Sequence, residues 1–363
     1  MQTVDSRTPA SSQPDPEKLD RFVGRMLGDI GAMMTGALVA MGDRLGLYRA
    51  MAEAGPLTPA ELARRAGVNE RYLREWLSAQ AASGYVTYDP ETGAFALDPE
   101  QAAVFVDADS PAYMVGAFDI ATAVWNDEPR VRDGFRSGRG VGWHERHPCL
   151  FCGTERFFRP SYRHHLVPEW LPALKGVTEK LRSGARVADV GCGHGASTLI
   201  MAKAFPASSF TGFDYHGGSV EAATDMARKA GLDGQVRFEK ASAKDFPGEN
   251  YDLVCFFDCL HDMGDPLGAA RHVREVIAPD GTWLVVEPFA RDTLAENLNP
   301  VGRIFYAAST MICTPASLSQ EVGAALGAQA GPKRLLDVVR DAGFSQARVA
   351  LETPFNLVIE ARP

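Results

Sequence analysis

Arg186-Val-Ala-Asp-Val-Gly-Cys-Gly-His-Gly195, followed by Phe210-Thr-Gly-Phe-Asp214, decides the reading of this chain. A short apolar strand runs into Gly191-x-Gly193-x-Gly195, and the helical run Ala196 to Ala204 follows. A second apolar strand then ends in an acid, Asp214. That order builds a nucleotide pocket. Glycines let backbone pass close beneath a ligand where a Cβ would collide. An acid after the second strand stands where a ribose presents its hydroxyls.

The glycine spacing discriminates between nucleotides. A dinucleotide fingerprint wants G-x-G-x-x-G, and position 196 here is Ala, which that pattern sometimes tolerates. Asp189, two residues before the first glycine, argues against a pyrophosphate, which it would repel. A carboxylate there can face an ammonium or hold the N–H groups of the turn. The D-x-G-x-G-x-G pattern resembles the first motif of class I S-adenosylmethionine-dependent methyltransferases. In that family the loop cradles the cationic amino-acid half of the cofactor. An NAD-type enzyme is the lesser alternative.

The chain has 363 residues, enough for two domains. Hydrophobic residues make up 45% and charged ones 23%, ordinary for a soluble globular protein. A formal net charge of −9 speaks against a nucleic-acid substrate held along a basic surface. The first twenty residues are rich in Ser, Pro, Thr and Gln, lack a secretory pattern, and read as a disordered tail. The run Ile30 to Gly42 reads as too short and too glycine-rich to span a bilayer. Six cysteines without a signal sequence fit reduced thiols in the cytoplasm.

Residues 21–51 read as helix, apolar nearly all round in the second half, so buried on several sides or shared between subunits. Thr58-Pro-Ala-Glu61 is a capping box with proline at the first helical position, and Gly67 stops that helix. The next helix, from Val68, places Tyr72, Leu73, Trp76, Leu77 and Gln80 on one face. Tyr85 to Tyr88, a turn at 89–93, and Ala94 to Leu97 form a hairpin. Two helices and a hairpin make a winged helix-turn-helix. Residues 21–105 carry 8 basic and 10 acidic side chains, net −2, whereas a DNA reader is usually basic. The unit resembles the N-terminal dimerisation domain of small-molecule O-methyltransferases, which implies a homodimer and no nucleic acid or membrane partner.

Residues 106–180 read as a helical linker that covers the substrate. A helix is expected from Asp109 through Ile120, loop from Trp125 to Gly142, and a helix over Glu155–Leu174 broken at Pro160 and Pro168. From residue 181 strands and helices alternate, which means a parallel sheet covered on both faces. Strands are expected at Val187–Val190, Ser209–Asp214, Val236–Lys240, Tyr251–Phe257, Thr282–Glu287, Ala347–Ala350 and Phe355–Glu360. The expected architecture is a seven-stranded, Rossmann-like α/β domain over residues 181–363, preceded by the mostly helical winged-helix domain.

The resemblance assigns candidate roles. Asp189, Gly191, Cys192, Gly193 and Gly195 form the cofactor loop. Asp214 holds the ribose, with Tyr215 or His216 against the cofactor. The family places an acid after the third strand, near the adenine; here Ser242-Ala243 stands at that point, with Asp245 three residues after Ser242. Asp258, ending the fourth strand, borders the methyl end. His261-Asp262 resembles the His-Asp pair in which the histidine is the general base, and Glu287 matches the glutamate that orients it. An imidazole titrates near working pH and suits deprotonating a hydroxyl or thiol. The implied reaction methylates a small-molecule hydroxyl or thiol. Two alternatives are a thiol methyltransferase that does not need His261, and a cofactor-sensing DNA-binding regulator.

The segment from Phe289 to about Gly331 is long. It supplies pocket walls through Tyr306, Met311, Ile312 and Cys313, or an extra helix for a dimer contact. His144, His147, Cys149 and Cys152 have the residue types of a zinc site, but their spacing is tight and no distant ligand pair accompanies them. Packing is the preferred reading, and no metal is assigned.

Overall fold

The computed structural model describes residues 13–363, which divide into two compact units near Ala102. The expected tail lies outside the described residues as far as position 12. From Pro16 the chain is already helical. Asp15 is the reason: its side chain accepts from Glu17 N (3.0 Å) and Lys18 N (3.2 Å), and proline follows at the first helical position.

The first unit contains α1 (Pro16–Arg44), α2 (Leu47–Ala54), α3 (Pro59–Ala66) and α4 (Glu70–Ala82), then a hairpin of β1 (Thr87–Asp89) and β2 (Ala94–Ala96). The Thr58/Glu61 capping box forms, and Gly67 ends α3 at φ +67°. Leu47, Tyr48, Met51, Leu62, Leu73, Trp76 and Leu77 make the core. Its polar tips are paired: Tyr48 donates to Gln80 (2.6 Å) and Trp76 Nε1 to Leu38 O (2.9 Å). Tyr72 departs from expectation. It stands one residue off the Leu73–Trp76–Leu77–Gln80 face and is 83% exposed.

Helix α1 is not buried on several sides within the chain, one of its two expected readings. Phe22, Leu27, Ile30, Met33 and Met34 are all exposed on it. At 29 residues, with mean hydropathy 1.2 over its most apolar window, it is long and apolar enough to cross a membrane by length and composition only, a test that core helices also pass. The run Ile30–Gly42 is only part of this helix, which begins at Pro16.

Helix α5 (Pro99–Phe105) spans the boundary, and the second unit continues with α6 (Val115–Ser137) and α7 (Cys149–Ser161). Where loop was expected, α6 runs unbroken from Trp125 through Pro129 to Ser137. Buried acids hold it in place: Asp119 pairs with Arg156 of α7 (2.6 Å), and Asp127 accepts from His147 N (3.2 Å). Pro160 and Pro168 do not break the next helix either. From Tyr162 to Trp170 it widens to π winding, in which Leu171 N returns five residues to Leu166 O, and it continues into α8 (Leu171–Ala173).

After α9 (Val177–Ser183) come β3 (Arg186–Val190), α10 (Ala196–Ala204), β4 (Ser209–Asp214), α11 (Gly217–Lys229), β5 (Val236–Lys240), β6 (Tyr251–Phe257), α12 (Pro266–Val276) and β7 (Ile277–Pro288). Helix α13 (Pro300–Ala308), π-wound Ser309–Cys313 and α14 (Thr314–Leu318) fill the segment expected as a long loop. The chain ends with α15 (Gly331–Asp341), β8 (Gln346–Glu352) and β9 (Asn356–Arg362). The sheet order is β5-β4-β3-β6-β7-β9-β8, with β9 antiparallel to both neighbours and the remaining pairs parallel. Central strands are apolar on both faces. In β6, Val254 and Phe256 pack toward one side of the sheet, Leu253, Cys255 and Phe257 toward the other. Strand order reverses between β3 and β6, so a crevice opens at their carboxyl ends.

Candidate active site

A cavity of about 380 Å³ lies at that reversal. Its floor is the glycine loop. Gly191, Gly193 and Gly195 have φ of +73°, +52° and +78°, in the left-handed region that side chains resist. A Cβ on Gly195 would come within 2.5 Å of the Phe238 ring. Around Gly193 nothing stands within 4 Å of that position, so bare backbone faces open space. Cys192 lines the loop, its thiol pushed up by burial.

Asp189 sits beneath this loop and off the cavity wall. One carboxylate oxygen accepts from Ser197 (2.7 Å) and Thr198 (2.6 Å), tying β3 to the first turn of α10. The other oxygen is buried without a partner. Burial raises the group to about 6, against the hydroxyl hydrogen bonds that lower it. Asp214, ending β4, lines the cavity and accepts from Gly193 N (2.9 Å) and His216 N (2.8 Å), which leaves a second lone pair on each oxygen. Burial raises its pKa as well. Tyr215 is on the wall. His216 is not: it caps α11 and stacks on Phe151.

Beyond β5, Ala241, Ser242, Ala243 and Lys244 form one side. Asp245 turns away to accept from Ser242 N (3.1 Å). Opposite, Asp258 ends β6 with φ +51°, strained for a residue with a side chain. Tyr162 donates to it at 2.9 Å and Asn356 at 3.4 Å. Burial raises Asp258 and Asp262 to about 7 each; Glu287 adds to the rise at Asp258, and His261 opposes it at Asp262.

The wall thus carries the carboxyl groups Glu155, Asp214, Asp258, Asp262, Asp265 and Glu321, against Lys244 and His194. Lys244 is engaged by Glu321 (2.8 Å) and Asp265 (3.4 Å). Such a surface suits a cation and repels a pyrophosphate.

His261 lies behind the wall in the turn Leu260–Asp262, only 4% exposed. Its Nδ1 is 2.5 Å from one oxygen of Glu287, whose other oxygen accepts from Leu260 N at 2.9 Å. Burial alone would lower the imidazole. The Glu287 carboxylate and the Cys313 thiol beside it outweigh burial and hold it well above the ordinary histidine range.

Several wall residues were not singled out by sequence: Thr154 and Glu155 of α7, Ala316 of α14, and Gln320 and Glu321 after it. Of the long segment's candidates, Ile312 and Cys313 pack in an apolar cluster with Ala123, Leu150, Phe305 and Ala328, and none of Tyr306, Met311, Ile312 and Cys313 lines the cavity. Among the described residues no three His, Cys, Asp or Glu side chains gather as a metal site. His147 instead accepts from Cys149 N (3.2 Å).

Residues 181–342 match the family described as "Methyltransferase domain", and residues 32–106 the family described as "Rv2258c-like winged HTH domain". Residues 181–342 thus carry a methyltransferase domain, and residues 32–106 a winged helix-turn-helix domain. It is similar to the 27-O-demethylrifamycin SV methyltransferase of Amycolatopsis mediterranei, 34% identical over 131 residues, which are 34% of this chain and 48% of that protein. The match therefore spans about half of that relative's length. In fold it resembles mitomycin 7-O-methyltransferase (TM-score 0.69, 18% identity, 96% of this chain and 99% of that one). It also resembles human N-acetylserotonin methyltransferase, solved with S-adenosylmethionine (0.66, 18%, 97% and 99%).

Proposed function

We propose that this protein is an S-adenosylmethionine-dependent methyltransferase that transfers the methyl group to a hydroxyl of a small molecule, with His261 as general base. The observation that carries the reading is the His261–Glu287 pair at 2.5 Å behind an acid-walled cavity at the strand-order reversal.

The residues present fit the cofactor. The uncovered backbone at Gly193 is a cradle that a Cβ would fill. Asp214 retains lone pairs for two ribose hydroxyls. Ser242 and Ala243 flank the base, and the serine can donate or accept where the family has an acid. Asp258, Asp262 and the loop around Cys192 surround the positively charged end, and Asp189 fixes the loop's attachment to α10. When bound, the cofactor supplies a methyl group on a sulfonium, activated toward in-line attack.

Once deprotonated, above its raised pKa, His261 donates Nδ1–H to Glu287, so its lone pair resides on Nε2. That nitrogen would take the proton from the acceptor's hydroxyl as its oxygen is methylated. The products are the methyl ether, S-adenosylhomocysteine and a proton passed on to solvent. Asp262 supports charge in the site without orienting the base.

The exposed apolar face of α1 supports a homodimer in which this helix is shared. No disulfide joins the described cysteines, in keeping with a cytoplasmic setting. The acidic N-terminal unit supports no DNA contact.

His261→Ala tests the base. With a hydroxyl acceptor, kcat is expected to fall about 10²–10⁴-fold, the usual worth of general-base catalysis. A thiol acceptor ionised at assay pH would lose little. Full activity of the variant on a hydroxyl acceptor would remove His261 from the mechanism.

A further inference from the structure

The turn that carries His261 is poorly held by its own backbone. Asp262 N to Cys259 O and Met263 N to Leu260 O are both stretched to 3.4 Å. The shorter bonds come from another segment, residues 317–327, which starts in the last turn of α14. That segment satisfies four consecutive carbonyls. His261 O accepts from Gly327 N (3.1 Å), Asp262 O from Gln320 Nε2 (3.1 Å), Met263 O from Ser317 Oγ (2.8 Å) and Gly264 O from Ala324 N (2.8 Å). Gly264 N in return donates to Gln320 Oε1 (3.0 Å). The two stretches lie so close that a Cβ on Gly264 would stand 2.6 Å from Glu321 O.

Ser317 ties the arrangement together. It is 0% exposed, and its hydroxyl donates to Met263 O while accepting from Ala325 N (2.9 Å). It does not line the cavity, whereas Gln320 does. The returning segment holds Val322 and Ala325 at φ +72° and +46°, a backbone that persists only where surrounding contacts fix it. On the other side Glu287 grips Leu260 N and His261 Nδ1. An imidazole held at Nδ1 still aims its Nε2 according to where the backbone of the turn stands. We propose that Ser317, with Gln320 beside it, is a positioning residue for His261: by fixing the carbonyls of residues 261–264 it fixes the place of Nε2. This rests on the reading of His261 as the base.

The test uses full-length protein with ¹⁵N-labelled histidine, and His261→Gln identifies the His261 ring signals. Two variants release the turn: Ser317→Ala from inside, and Gln320→Met from an exposed position that the fold tolerates. In both, the Nδ1–Glu287 contact loosens, and the His261 titration midpoint is expected at lower pH than in the wild type, because Glu287 is what holds it up against burial. A purely structural hydroxyl would lower the melting temperature and leave that midpoint in place. With phenol as the acceptor probe, kcat should fall roughly 10- to 100-fold, the effect of a displaced base, with KM for phenol unchanged. The affinity of Ser317→Ala for S-adenosylhomocysteine, read by calorimetry, should equal that of the wild type. Wild-type midpoints in both folded variants would overturn the proposal, whatever their activity. A shift in Gln320→Met beside a folded, unshifted Ser317→Ala would overturn the role of Ser317. Shifted midpoints with His261→Ala still at wild-type kcat on phenol would refute the reading of His261 as the base, and the proposal with it.

Discussion

Glu287→Gln should disable the base while preserving its surroundings. Glu287 is 1% exposed and has two duties: one oxygen accepts from Leu260 N at 2.9 Å, the other stands 2.5 Å from His261 Nδ1. Glutamine has only one acceptor oxygen. Leu260 N is a fixed backbone donor, so that oxygen goes to it and the amide NH₂ meets Nδ1. Nδ1 must then accept, the imidazole proton moves to Nε2, and the lone pair that should take the acceptor's proton is gone. Loss of the productive tautomer in a comparable carboxylate–histidine pair costs on the order of 10⁴ in kcat; here about 10²–10⁴ is expected, or roughly 3–5 kcal/mol of barrier. The assay is steady-state formation of S-adenosylhomocysteine with a hydroxyl acceptor. Cofactor affinity, read by calorimetry, should stay within about twofold, because Glu287 is off the cavity wall. The acid limb of the pH profile, which Glu287 holds above the ordinary histidine range, should also move down, since burial is then less opposed. An unchanged kcat in a folded variant would refute the reasoning.

Two more predictions concern charge and assembly. Asp258 and Asp262 sit near 7 against an ordinary 3.8, so the empty fold loses stability as pH rises from about 4 through 7, and a bound cation favours their ionised forms. Binding of S-adenosylmethionine should therefore release protons near pH 6.5 and tighten from pH 6 to 8; equal calorimetric enthalpies in phosphate and Tris would contradict this. The exposed face of α1 predicts a particle of twice the 39.2 kDa chain mass by light scattering. Leu27→Asp with Met34→Asp should halve it, and a monomeric wild type would exclude the shared helix.

Sheet and loop were legible because each rests on local pattern. Strands β4, β5 and β6 fall where their apolar runs predict, and β3 starts one residue earlier, at Arg186. Glycines 191, 193 and 195 adopt the backbone that their spacing implies. The helical cover was less legible because distant partners hold it. Asp119 and Asp127 bury their carboxylates only because α7 and the turn before it bring Arg156 and His147 N to them. Pro160 and Pro168 read as breaks because the pattern assumes α winding, whereas the chain absorbs Pro168 in a π turn. In the site, the Glu287–His261 pairing followed from resemblance at two strand ends. Gln320 and Glu321 carry no local signal that would mark them as wall residues, and Cys313 was named for a wall it does not form.

The central claim is that the acid-walled cavity at β3 and β6 holds S-adenosylmethionine. Calorimetric titration of the purified protein with S-adenosylhomocysteine, beside Asp214→Ala, tests it most directly. The account predicts micromolar binding by the wild type. It predicts roughly hundredfold weakening in the variant, the loss of charge-assisted hydrogen bonds worth about 3 kcal/mol together. No binding by a folded wild type, or equal binding by both proteins, would contradict it.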